Sequence, residues 1–150
     1  MSHEDNLRIV REFHAAWNDR DFDRAAALMA PDGEILIVGS GERFVGPEGS
    51  KTFSQRWADG FPDGRIEITD TISEGDRIAV LYRGRGTHTG TLKNASGEIP
   101  ATGKEVTLEL CDVIQIRDDG KVQSVRTYFD SGSLLAQLGL MAAAPAGATA

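Results

Sequence analysis

The stretch that most limits what this chain can fold into runs from Gly103 to Asp130, GKEVTLELCDVIQIRDDGKVQSVRTYFD. From Val106 to Ile116 the even positions are aliphatic (Val106, Leu108, Leu110, Ile114, Ile116) and the odd ones mostly polar. That period of two belongs to a strand with one face in a core, not to a helix. Arg117-Asp118-Asp119-Gly120 supplies a turn, and Val122 to Phe129 returns as a second strand, so the stretch predicts a β-hairpin. Asp112 interrupts the apolar face. Asp130 stands where the second strand gives way to Ser131-Gly132-Ser133 and to Leu134, Leu135 and Leu138, the apolar spacing of a short helix stopped by Gly139.

Upstream, Ser2-His3-Glu4-Asp5 has the form of a capping box. Leu7, Val10, Phe13, His14 and Trp17 follow at three- and four-residue spacing, which predicts an amphipathic helix to about Asn18. A shorter helix is expected from Asp21 to Met29, capped by Asp21 or its neighbour and stopped by Pro31. Glu34 to Val38 reads as a strand, and Gly46-Pro47-Glu48 as the start of a third helix ending near Gly60, with Phe53 and Trp57 on one face. The string GPEGSKT lacks the spacing of a phosphate loop, and no strand runs directly into it. Arg65 to Ile72 and Arg77 to Thr91 form a second hairpin around Ser73-Glu74-Gly75-Asp76. The even face of its second strand carries Ile78, Val80, Tyr82, Gly84, Gly86 and His88. A looser, Gly-bearing segment leads through Pro100 into the first hairpin described.

Helices gathered before a run of antiparallel strands predict an α+β domain, a curved sheet wrapped around the N-terminal helices into a cone that can hold a small molecule. One domain over residues 1–140 accounts for the 150-residue chain. Residues 141–150 are small and aperiodic, and a flexible tail is expected there. A net charge of −7 argues against a nucleic-acid or anionic-membrane partner. No apolar run approaches the roughly 20 residues of a membrane helix, and the N-terminus lacks a signal-peptide core, so a cytoplasmic protein is expected. Cys111 is the sole cysteine and sits at a polar strand position with no histidine nearby in sequence, as a small half-buried residue would. The histidines His3, His14 and His88 are scattered, and no H-x-H or C-x-x-C spacing marks a metal site.

Several segments together resemble the SnoaL-like polyketide cyclases of the nuclear transport factor 2-like superfamily. They are the helix-rich first third, Gly86-Thr87-His88-Thr89-Gly90, Pro100-Ala101-Thr102-Gly103-Lys104, Asp119-Gly120-Lys121, and Tyr128-Phe129-Asp130 with Leu134-Leu135-Ala136-Gln137-Leu138-Gly139. The resemblance implies a cone-shaped α+β barrel, a homodimer pairing through its outer sheet face, no metal or organic cofactor, and ring closure by intramolecular aldol condensation. It also implies a catalytic aspartate at Asp130 and a pocket histidine at His88. The superfamily includes isomerases, epoxide hydrolases and proteins without known activity, so the fold leaves the reaction open.

An aldol closure needs one group to take a proton α to a carbonyl and deliver a proton to a second carbonyl oxygen. Asp130 is the candidate base, and the same residue has the setting of a helix N-cap. His88 is either a proton shuttle or a hydrogen-bonded structural histidine. Asp112 must find a partner or a pocket, with Arg126 or Arg83 as the expected partner. His14 reads as a helix-flank residue. Phe13, Trp17, Trp57, Tyr82, Asp112, Arg126 and Tyr128 are the candidate lining of a pocket for a small hydrophobic carbonyl compound. Isomerisation or epoxide opening in the same pocket, and a non-catalytic ligand-binding or dimer-forming module, remain the alternatives. The outward sheet face of Val113, Val125 and Phe129 is compatible with a dimer.

Overall fold

A computed structural model describes residues 2–142. The tail expected at 141–150 lies, from residue 143 onward, outside the described residues. Helix α1 spans His3–Asn18, and its capping box is present, with Ser2 accepting from the Asp5 backbone and Asp5 accepting from the Ser2 backbone. Helix α2 is Phe22–Ala27, capped by the Asp21 side chain. It ends before Pro31 rather than because of it. Strand β1 (Met29–Ile37) begins at once, and Pro31 falls in the register shift between Met29 and Glu34, where its missing N–H costs no ladder bond.

Strand β2 (Glu42–Val45) folds back on β1 and leads into helix α3 (Gly46–Gly60), with Pro47 in its first turn. Strands β3 (Arg65–Glu74) and β4 (Arg77–Thr87) form the expected hairpin. The looser segment contains a small hairpin of its own, β5 (Leu92–Asn94) with β6 (Gly97–Ile99). Strands β7 (Glu105–Ile116) and β8 (Val122–Phe129) and helix α4 (Ser131–Gln137) complete the chain. In the β7–β8 turn Gly120 sits at φ 84°, a conformation cheap for glycine alone.

Six strands make one curved sheet in the order β2-β1-β8-β7-β4-β3, antiparallel except where β1 runs parallel to β8. Its inner face meets the helices. Ile78, Val80, Ile114, Val122 and Val10 are at most 1% exposed there, each burial contributing about 1.5–3 kcal/mol. A second cluster of Phe61, Leu92, Val106, Leu108, Leu134 and Leu138 closes the other end of the sheet beneath α4. The inward parity of β8 passes through Val125, Thr127 and Phe129. Val125 is a 2% exposed core residue, and Phe129 packs on Trp57 at 5.5 Å. The outward face expected to carry both therefore keeps Val113 and loses the other two, because the register shift between Gln115 and Ile116 resets which β8 positions face the core.

Candidate active site

His14 occupies the third turn of α1, one turn after Val10 and one before Trp17, on the stripe that α1 turns toward the sheet. Across from it, β4 and β7 pair so that Tyr82 and Asp112 both project from the inner face. The three side chains form one buried chain. The Tyr82 hydroxyl donates to Asp112 Oδ1 at 3.0 Å, Asp112 Oδ2 lies 3.2 Å from His14 Nε2, and His14 Nδ1 donates to the Val10 carbonyl at 2.9 Å. His14 is 5% exposed, Asp112 4% and Tyr82 7%. The imidazole also packs edge-on against the Tyr82 ring, 5.1 Å between centroids.

Hydrogen-bond chemistry fixes where protons can be. A carbonyl only accepts, so Nδ1 of His14 carries a hydrogen. A hydrogen bond across the contact between His14 Nε2 and Asp112 Oδ2 places one proton between them, supplied by the ring or by the carboxyl. Burial, and next the charge of Asp112, push the Tyr82 phenol well above its ordinary pKa, so Tyr82 stays a neutral donor. A carboxyl group with a fixed donor on one oxygen and a shared proton on the other is equipped to take up and return a proton.

His14, Tyr82 and Asp112 all line one cavity. Phe13, Trp17, Phe53, Trp57 and Phe61 supply aromatic walls. Gly84 and Gly86 continue the inward face of β4 beyond Tyr82; the missing side chain of Gly84 leaves space open, while Gly86 lets Phe61 and Gly64 pack directly against the strand. Thr127, the cross-strand partner of Asp112, also faces the cavity.

Of the pocket residues expected from sequence, the structure brings together Phe13, Trp17, Trp57, Tyr82 and Asp112. Arg126 and Tyr128 stand on the other face of β8, Arg126 Nε donating to the Tyr128 hydroxyl at 3.2 Å, with Tyr128 40% exposed. Arg83 pairs with Glu109 on the outer face, so neither arginine expected beside Asp112 meets it. His14 takes that place, not the helix flank. Asp130 and His88 are not among the residues lining the cavity. Asp130 is exposed and caps α4, accepting from the Ser133 backbone at 3.2 Å. His88 lies past the end of β4, fully buried. Its backbone bonds Lys104 and Gly103, and its Nδ1 accepts from the Thr102 backbone at 3.2 Å. Burial lowers its pKa below the ordinary 6.5. Among the described residues no group of three or more His, Cys, Asp or Glu is placed to hold a metal, and no helix is long and apolar enough to cross a membrane.

The sequence matches the family model for SnoaL-like polyketide cyclase over residues 7–138. The chain belongs to that family. No curated protein sequence matches this SnoaL-like chain. Among solved structures, it is similar to a SnoaL-like protein from Jannaschia sp. CCS1, with 21% identity, a TM-score of 0.81 and coverage of 97% of this chain and 98% of that one. It is similar also to a protein of ketosteroid isomerase-like fold from Catenulispora acidiphila DSM 44928, in complex with trimethylamine, at 22% identity, TM-score 0.73 and coverage of 95% and 97%. TerC, co-crystallized with polyporic acid, gives 22% identity, TM-score 0.70 and coverage of 90% and 98%. At this identity the likenesses establish the fold of the SnoaL-like chain, an α+β nuclear transport factor 2-like fold.

Proposed function

We propose that this SnoaL-like protein is an enzyme of acid–base type acting on a small, mainly apolar carbonyl compound bound in the cone. The observation that carries the proposal is the Tyr82–Asp112–His14 chain lining an aromatic-walled cavity. The family membership supports a cyclase reaction, an intramolecular aldol closure.

In that reaction Asp112, as carboxylate beside the His14 imidazolium, takes the proton α to one carbonyl. The enolate carbon bonds to the second carbonyl carbon, whose oxygen receives the proton back from Asp112. The active-site charge returns to its starting value, and the net change is one C–C bond and one hydroxyl. Tyr82 keeps Oδ1 engaged, which holds the carboxyl in one orientation throughout. The aromatic walls surround the site with apolar surface, and a low local dielectric strengthens each of these interactions. Isomerisation is the same first step followed by return of the proton to another carbon, and it uses the same groups. Epoxide opening by a carboxylate pair has less support, since Asp112 pairs with Thr127 and Asp130 lies beyond the end of β8.

The acid/base role thus goes to Asp112 with His14 rather than to Asp130 with His88. Asp112→Asn tests it. The amide can still accept from Tyr82 and donate to Nε2 of neutral His14, so the fold should persist while turnover falls about 10²- to 10⁴-fold. Undiminished turnover of an identified carbonyl substrate by Asp112→Asn would overturn the assignment. Asp130→Asn run beside it is expected to match the unaltered protein; loss of turnover there would return the role to Asp130. A homodimer through the outer sheet face belongs to the same reading, supported by family resemblance and by the half-buried Leu81, Cys111 and Val113 on that face. Light scattering reads it directly, and a monomer at working concentration would exclude it.

A further inference from the structure

Thr127 is 1% exposed, lies on the cavity wall, and its Oγ1 finds no hydrogen-bond partner in the protein. Its backbone is held in the sheet, in register with Ile37 of β1 and Asp112 of β7, and its carbonyl accepts from Val38 N at 3.1 Å. The side chain is thus held by the sheet, while the hydroxyl has no structural task. Valine has nearly the same shape and would occupy the site without burying an unpaired polar atom. A buried hydroxyl left free beside a proton-transferring carboxyl is suited to a partner that comes from outside.

Resting on the reading of the cavity as a ligand site, we infer that Thr127 is a specificity-determining residue whose hydroxyl donates to an oxygen of the bound molecule. Thr127 and Asp112 are directly opposed across β8 and β7, and opposed positions hold their Cβ atoms about 4.5–5.5 Å apart. The carboxyl and the hydroxyl therefore reach adjacent parts of one ligand. With Asp112 at the acidic C–H, Thr127 meets the carbonyl oxygen of the same unit, where negative charge gathers as the proton leaves. Tyr82 cannot take this part, because its hydroxyl is committed to Asp112. The ligand class selected is an apolar compound with an enolisable ketone, over its hydrocarbon isostere.

The test is NMR titration with two probes of one shape, 2-acetylnaphthalene and 2-isopropenylnaphthalene, which has =CH2 in place of the carbonyl oxygen. The unaltered protein should favour the ketone by about fivefold or more, the worth of one hydrogen bond. Thr127→Val should erase that preference through weaker ketone binding alone, with a melting temperature unchanged or raised. Thr127→Ser should retain it. A preference untouched by Thr127→Val, no preference in the unaltered protein, or equal weakening of both probes overturns the inference while leaving the acid–base reading to the Asp112→Asn experiment. Binding of neither probe to the unaltered protein counts against the ligand cavity itself, and the inference falls with it.

Discussion

Asp112 and His14 are each costly where they stand, and each is tolerable because of the other. An aspartate on an apolar strand face and a histidine on an apolar helix stripe would both lose hydration without return if left alone. Paired, they satisfy Oδ2 and Nε2 together, and Tyr82 completes the set. His14→Leu should therefore destabilise the protein by about 3–5 kcal/mol in denaturant unfolding, since it leaves a buried carboxyl with one partner instead of two. Asp130→Ala should cost about 0.5–2 kcal/mol through loss of the α4 cap, with turnover unchanged. The sequence showed the Asp112 anomaly plainly, and a break in an alternating face does require a partner. It also placed His14 at the spacing of Val10 and Trp17, the signal that could have marked it as inward. What it could not show is that the His14 side chain on α1 reaches Asp112 on β7, because 98 residues separate the two.

At the scale of elements, β4 and its continuation set both the room in the cavity and the rigidity of its rim. Gly84 faces inward, and a Cβ at that position would meet only Leu110 and Ile66, at 3.5 and 3.7 Å, so a larger side chain fits the backbone and projects into the cavity. Gly84→Leu should keep the fold, by circular dichroism, and abolish binding of 2-acetylnaphthalene. Beyond Thr87 the chain turns, and His88 ties it to 102–104 through both backbone groups and Nδ1. Because burial lowers the folded pKa of His88 below 6.5, the unfolded chain binds the extra proton first. Stability from this residue is complete above pH 6.5 and declines as pH falls below it, until the depressed folded pKa is passed. Urea midpoints measured from pH 7.5 to 5 should show that decline, and His88→Gln should flatten it. The hairpins, α1 and α3 were legible because each carries its own period and turn chemistry. Strands β2, β5 and β6 were not, being three or four residues long and held by pairing rather than by pattern.

Over the whole molecule, a single sheet couples the two apolar clusters. Removing Ile114, fully buried between Ile78 and Val125 in the ladder, should cost about 2–5 kcal/mol as Ile114→Ala and lower the entire unfolding transition rather than one segment of it. The α+β class, the curved sheet around N-terminal helices and the aromatic character of the pocket were determined by the sequence alone. These follow from local period, from turn residues and from the order of elements, all of which act between near neighbours. The tertiary structure decided which charged and polar groups meet. It set Thr127 against Asp112 through the β7–β8 register, turned Arg126 and Tyr128 outward by strand parity, and closed His14 onto Asp112. Such meetings depend on long-range pairing, where a shift of one residue exchanges the faces of a strand, and no short window of sequence contains that information.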